Sequence, residues 1–145
     1  MNTIRTKSFA ERSNGSRLLH GAGLLLLVAA YLQGGLDKLI DFPGAIGEMR
    51  HFGLEPALPM AVATITLELG ASALILSGRL RWLGALVLAA FTLAASFLAN
   101  RFWAAPPADR FMLENAFFEH LGLVGAFLLV AWWDWQDWRE AGPSR

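Results

Sequence analysis

One carboxylate stands in a stretch of sequence that is otherwise almost entirely apolar. Glu68 lies near the centre of TITLELGASALI (residues 64–75), where the other polar side chains are only threonines and a serine. If this stretch crosses a bilayer, an ionised carboxylate near its middle costs about 2.5–3.5 kcal/mol on insertion scales. Intramembrane carboxylates usually have a function, so Glu68 is the first candidate for a binding or proton-transfer group.

Other polar side chains recur every four residues, a spacing that places them on one face of a helix. Two such rows are Thr64, Glu68 and Ser72, and Thr92, Ser96 and Asn100. Gln33 and Lys38 stand near the end of a third apolar stretch, and Glu119 and His120 stand near the start of a fourth. Together they predict an outward-opening pocket between four helices, with a Lys38–Glu68 pair as its charged core. The pocket candidates are Lys38, Glu68, Gln33, Asn100, Glu119 and His120.

The same residues allow two other interpretations. Polar side chains hydrogen-bond across membrane helices for about 0.6 kcal/mol each, so these groups can simply join helices together. Lys38 stands near the end of its apolar stretch, and its long side chain can instead extend to water. The sequence does not decide whether Lys38 reaches Glu68.

The composition excludes several kinds of site. The chain of 145 residues has no cysteine, which excludes disulfides and thiolate metal ligands. Its three histidines are dispersed without HxxxH or HExxH spacing, so we expect no metal site and no covalent cofactor. The formal net charge is zero, and we therefore expect no nucleic-acid partner.

Four apolar stretches are long enough to cross a bilayer, which needs about 20 residues per helix. Backbone groups in lipid must pair within their own segment, so these stretches are predicted to be helices. The expected fold is an all-α membrane four-helix antiparallel bundle. The predicted organisation is a polar arm (1–16), a four-helix domain (17–134) and a Trp-rich cytoplasmic tail (135–145), with spans at 18–36, 58–77, 80–102 and 115–133.

The basic residues predict the orientation of this bundle. Eight lie in or directly after the N-terminal arm, in the turn between the second and third spans and in the tail, against four on the other side. The positive-inside rule then places both termini in the cytoplasm. The eight are Arg5, Lys7, Arg12, Arg17, Arg79, Arg81, Arg139 and Arg145, and the four are Lys38, Arg50, Arg101 and Arg110.

The first outer loop is predicted to contain a short amphipathic helix that covers the bundle. Asp41 suits the N-cap, and Pro43 suits the first turn. Ile46, Met49 and Phe52 follow at intervals of three, so they share an apolar face. Glu48 is expected to point away from that face.

Three segments resemble the DoxX family. They are GGLDKL (34–39), TLELGASALILSGRLR (66–81) and ENAFFEHLGLVGAFLLVA (114–131), and the likeness extends over about residues 17–133. The resemblance implies a four-helix bundle in the bacterial cytoplasmic membrane, with Lys38 and Glu68 at the family's recurring charged positions. Members of that family are linked to the small subunit of thiosulfate:quinone oxidoreductase and to oxidative-stress complexes. Where many relatives have Lys-Asn in the last helix, this chain has Glu119-His120.

Three functions are consistent with these features. The first is an accessory subunit of a membrane oxidoreductase that binds a quinone or lipid and receives electrons from a partner, since no ligand set for a redox metal is evident. The chain would then be at most a subunit of an enzyme. The second is a small proton-linked transporter that uses Glu68. The third is a structural membrane partner without ligand chemistry. The expected partners are membrane lipid and either another protein or a second copy of the chain.

Overall fold

The computed structural model describes residues 9–140, with side chains described for residues 15–139. Within that range the regular structure is entirely helical. The helices are α1 (Phe9–Ile40), α2 (Phe42–His51), α3 (Ala57–Ser77), α4 (Arg81–Ala99) and α5 (Pro107–Glu140), with a 3₁₀ turn at Phe102–Ala104. All of them except α2 and the 3₁₀ turn contain segments long and apolar enough to cross a membrane, which confirms the predicted membrane four-helix fold.

The long helices pack in the order α1, α3, α4, α5. We call the end of the bundle covered by α2 the α2 end, and the end holding the α3–α4 turn the terminal end. Tyr31 of α1 closes the bundle by an edge-on contact with Phe127 of α5, with ring centroids 5.4 Å apart. Next to this contact, towards the terminal end, lies a fully buried apolar plug made of Val28, Ile75, Leu88 and Phe127.

Small residues allow α3 and α4 to approach closely near the terminal end. A Cβ atom on Gly84 would lie 2.7 Å from the carbonyl oxygen of Ala71. Gly78 ends α3 in the left-handed conformation (φ 75°), as glycine commonly does at a helix C-terminus. Asp134 of α5 then accepts a hydrogen bond from the Trp82 backbone N–H, 2.9 Å away, in the first turn of α4. This hydrogen bond joins α5 to the start of α4, beside the turn between α3 and α4.

The short helix α2 lies in the first connection, where a short amphipathic helix was predicted. The Asp41 side chain accepts a hydrogen bond from the Gly44 backbone N–H at 3.0 Å, so Asp41 is the N-cap. Ala45 and Met49 are buried against the first turns of α3, next to Ala57 and Ala61. α2 therefore covers one end of the bundle, with its apolar face packed against α3.

The last helix is longer than the predicted fourth span at residues 115–133. It begins at Pro107, a residue suited to a first helical turn, and continues to Glu140. No glycine or proline interrupts the sequence between residues 126 and 141, so nothing there ends the helix at the membrane boundary. Described residues of the predicted tail thus continue α5. Most of the predicted arm lies outside the residues whose side chains are described, and its described part belongs to α1.

Candidate functional site

A cavity of about 540 Å³ lies between α1, α3, α4 and α5 beneath α2. Most of its wall is apolar, formed by alanine, leucine, methionine and phenylalanine side chains. The apolar plug lies on its terminal side, and α2 with the residues that follow it lies at its opposite side. The side chains with polar groups that line the cavity are Tyr31, Lys38, Glu48, Thr64, Glu68, Thr92 and His120.

Lys38 and Glu68 form an ion pair in this cavity. The Lys38 Nζ atom lies 3.4 Å from Glu68 Oε2, and the two side chains are only 16% and 7% exposed. A Cβ on Gly34 would lie 3.5 Å from Nζ, so the Lys38 side chain runs back by one helical turn along α1. Lys38 therefore points into the bundle, and the alternative in which it extends to water does not hold.

A second carboxylate approaches the same ammonium group from α2. Glu48 Oε2 lies 3.9 Å from Lys38 Nζ, and the Glu48 side chain is 43% exposed. Glu48 was expected to point away from the apolar face of α2; its side chain is exposed, and it also lines the cavity beside Lys38. Lys38 thus lies between a buried and a half-exposed carboxylate.

The polar row of Thr92, Ser96 and Asn100, on α4 and its C-cap, makes hydrogen-bonding contacts with Tyr31 on α1 and His120 on α5. The Thr92 hydroxyl lies 2.5 Å from the Tyr31 hydroxyl and also donates to the Leu88 carbonyl at 2.6 Å. Ser96 Oγ lies 2.8 Å from His120 Nδ1, and Asn100 Nδ2 lies 3.0 Å from the same nitrogen. Asn100 is buried but does not line the cavity. It contacts His120, which does.

Tyr31 was missed as a cavity residue by the sequence analysis. It stands seven residues before Lys38, a separation that places both on one face of α1. This seven-residue spacing is the feature of the sequence that could have placed Tyr31 in the cavity. A lone tyrosine in an apolar stretch is nonetheless typical of ordinary core packing, and Tyr31 also packs against Phe91 and Phe127.

Two predicted pocket residues lie elsewhere. Gln33 is exposed on the outer face of α1, where its amide hydrogen-bonds Asp37 one turn later. Glu119 is exposed on α5, because it is about 100° round the helix from His120, which faces the cavity. Neither lines the cavity, so the prediction placed them incorrectly. The structure brings Lys38, Glu68 and His120 to the cavity, with Asn100 behind His120.

A separate crevice of about 280 Å³ opens at the terminal end between α1 and α5. His20, Arg81, Asp134 and Asp137 line it, and Arg81 is paired with Asp134 at 3.4 Å. Fully buried side chains of the apolar plug lie between this crevice and the cavity beneath α2. The two spaces are therefore distinct.

The arrangement beneath α2 suits a mostly apolar molecule with a few polar atoms. Pockets of this kind use apolar walls for affinity and a small number of polar groups for orientation. Lys38 supplies an ammonium donor, Glu68 a carboxylate and His120 an imidazole. No group of three or more His, Asp or Glu side chains that could hold a metal ion lies among the residues that the structure describes.

Comparison with known proteins gives one family match. The family model described as DoxX matches residues 22–101, which is more than half of the chain. The matched range contains Lys38, Glu48 and Glu68, but it ends before His120 on α5. No curated protein and no solved structure matches the chain.

Proposed function

The chain belongs to the DoxX family and is a multi-pass membrane protein, and on that basis we propose that it is an accessory subunit of a membrane oxidoreductase system. In this proposal it resides in the bacterial cytoplasmic membrane, with the α2 end facing outward. It binds a quinone or a lipid in the cavity beneath α2 and receives electrons from a partner protein.

The observation that carries this proposal is a buried ion pair that borders an open cavity. Removing two charges from water costs several kcal/mol per ion, and a well-packed apolar pair is often at least as stable. Joining α1 to α3 therefore does not require Lys38 and Glu68. Their placement in the wall of a 540 Å³ cavity, instead of in the solid apolar plug, favours a role in holding a ligand.

The side chains in the cavity wall would have different roles in binding the ligand. Lys38 would donate a hydrogen bond to a carbonyl oxygen of the ligand. Glu68 and His120 are the groups able to accept or donate the proton that accompanies reduction or oxidation of a quinone. Apolar residues of α3 and α4 would enclose the ring or the acyl chain.

The structural alternative is supported by a different surface. Gly122 and Gly125 are exposed on α5, and a Cβ on either would meet no atom within 4 Å. Glycines on an open helix face let another membrane helix approach closely. A docking role for this face does not exclude a ligand in the cavity. The remaining alternative, a proton-linked transporter, requires a path past the apolar plug.

The proposal is tested by mass spectrometry of small molecules extracted from protein purified in mild detergent. Wild type, Glu68→Gln and Glu119→Gln are prepared side by side. The second variant makes the same substitution on an exposed carboxylate outside the cavity. We expect one quinone or lipid species to be enriched in wild type and Glu119→Gln and depleted in Glu68→Gln. The same generic lipid mixture in all three preparations would refute a tightly held ligand and favour the structural role.

A further inference from the structure

The side chains of Ser96 on α4 and of Asn100, the C-cap of α4, contact His120 on the side away from the cavity. Its Nδ1 atom lies 2.8 Å from Ser96 Oγ and 3.0 Å from Asn100 Nδ2. Ser96 is fully buried and Asn100 is 8% exposed, and neither lines the cavity. The ring edge carrying Nδ1 therefore faces α4. Nε2 is left as the ring nitrogen available to the cavity.

The chemistry of the Asn100 contact decides where the imidazole proton lies. An amide nitrogen only donates hydrogen bonds, so Nδ1 must accept the bond from Asn100. The Ser96 hydroxyl has one proton and lies 2.8 Å from both the Thr92 carbonyl and Nδ1. When it turns that proton to Nδ1, the Thr92 carbonyl keeps its helical partner, the Ser96 backbone N–H. A neutral imidazole that accepts at Nδ1 carries its proton on Nε2.

We propose that Asn100 and Ser96 are positioning residues that hold neutral His120 as the Nε2–H tautomer. The cavity then presents two hydrogen-bond donors from different helices, Nε2–H of His120 on α5 and the Lys38 ammonium on α1. A carbonyl oxygen accepts hydrogen bonds and carries no proton, so a carbonyl ligand suits these two donors, while the Glu68 carboxylate beside Lys38 is an acceptor in the same cavity. This inference rests on the proposed function for the identity of the site, and it narrows the ligand class to carbonyl compounds.

Quinone rings and lipid esters both carry carbonyl oxygens. The binding experiment therefore uses one probe for each source. The first is a short-chain ubiquinone added to protein in detergent. The second is a diacyl phosphatidylglycerol, exchanged into the protein from mixed micelles and measured by mass spectrometry.

The tautomer is read directly from ¹⁵N NMR of protein labelled on histidine. His20, His51 and His120 give three sets of signals, and the set that disappears in His120→Gln belongs to His120. We expect a protonated Nε2 and an unprotonated Nδ1 for His120 in wild type. A proton on Nδ1, alone or on both nitrogens, would overturn the proposal.

The key variant is Asn100→Asp, because a carboxylate at this position accepts a hydrogen bond and draws the proton to Nδ1. Asn115→Asp is the matched control, since Asn115 is exposed on α5. We expect Asn100→Asp to move the His120 proton to Nδ1 and weaken binding of the carbonyl probe by about tenfold, the factor for one neutral hydrogen bond. Asn115→Asp should change neither.

The outcomes separate the two proposals. An Nε2–H tautomer in wild type with no binding of either probe would refute the carbonyl ligand and the proposed function, while leaving the positioning of His120 intact. Binding of a probe that is unaffected when Asn100→Asp has moved the proton would refute selection through His120. If Asn100→Asp does not fold, Asn100→Ala removes the amide donor instead. It should then permit both tautomers, because the Ser96 hydroxyl can donate or accept, and this would be visible as exchange in the His120 signals. An unchanged single tautomer would show that Asn100 does not position the ring.

Discussion

The ammonium group of Lys38 reaches Glu68 by running back one turn along its own helix. Nζ lies 3.4 Å from Glu68 Oε2, and the absence of a side chain on Gly34 leaves room for it, because a Cβ there would already be 3.5 Å from Nζ. Glu68 Oε2 is buried and has no partner with hydrogen-bond geometry. The Lys38–Glu68 contact is therefore a charge–charge interaction, and its contribution to the free energy of unfolding requires both charges.

Removing only one member of this pair should destabilise the protein more than removing both. Lys38→Met leaves a buried carboxylate without its cation and should lower the free energy of unfolding by about 3–5 kcal/mol. The double variant Lys38→Met/Glu68→Gln should recover much of that loss. Unfolding in detergent, followed by circular dichroism for the two single variants and the double variant, measures this coupling. Additive effects would show that the two groups do not interact.

The packing of α4 on α3 predicts opposite effects for two Gly→Ala substitutions. A Cβ on Gly84 would lie 2.7 Å from the backbone oxygen of Ala71, which cannot move without its helix, so Gly84→Ala should cost about 1–3 kcal/mol. Gly125 has open space around it, and Gly125→Ala should be neutral or stabilising because alanine favours helix. Thermal unfolding midpoints of the two purified variants test the difference. A stable Gly84→Ala protein would contradict the close approach.

Filling the cavity should displace a ligand without removing any polar group. Ala95 lines the cavity, whereas Ala90 on the same helix is exposed and does not. Ala95→Phe should reduce the extracted ligand several-fold, and Ala90→Phe should retain it. Mass spectrometry of extracts from both variants gives the comparison. Equal retention would place the ligand outside this cavity.

The orientation of the bundle remains a prediction from charge and can be measured by cysteine labelling. The chain has no cysteine of its own, so a single introduced cysteine reports one position. Arg50 on α2 and Arg79 in the α3–α4 turn are both exposed, at opposite ends of the bundle. In intact bacterial cells a membrane-impermeant maleimide should label Arg50→Cys, and it should label Arg79→Cys only after permeabilisation. The reverse pattern would invert the predicted topology.

Helical spacing was sufficient to select the correct face in some helices and insufficient in others. Glu68 was identified because one carboxylate in an apolar stretch is a strong signal at any rotation of the helix. Gln33 and Glu119 were placed incorrectly because a step of one residue turns a helix by about 100°, and their stretches contain polar residues on more than one face. Which of those faces turns inward depends on the neighbouring helices.

The sequence by itself determined that the chain forms four membrane helices with a short helix between the first two. Bilayer thickness, backbone hydrogen bonding and local capping at Asp41 act over one or two helical turns, so these features are readable without tertiary contacts. Only the tertiary structure decided that Lys38 turns inward to Glu68, that Glu48 approaches from α2, and that Asn100 lies behind His120. Those contacts join residues on different helices, and their distances depend on how the helices rotate and pack against one another.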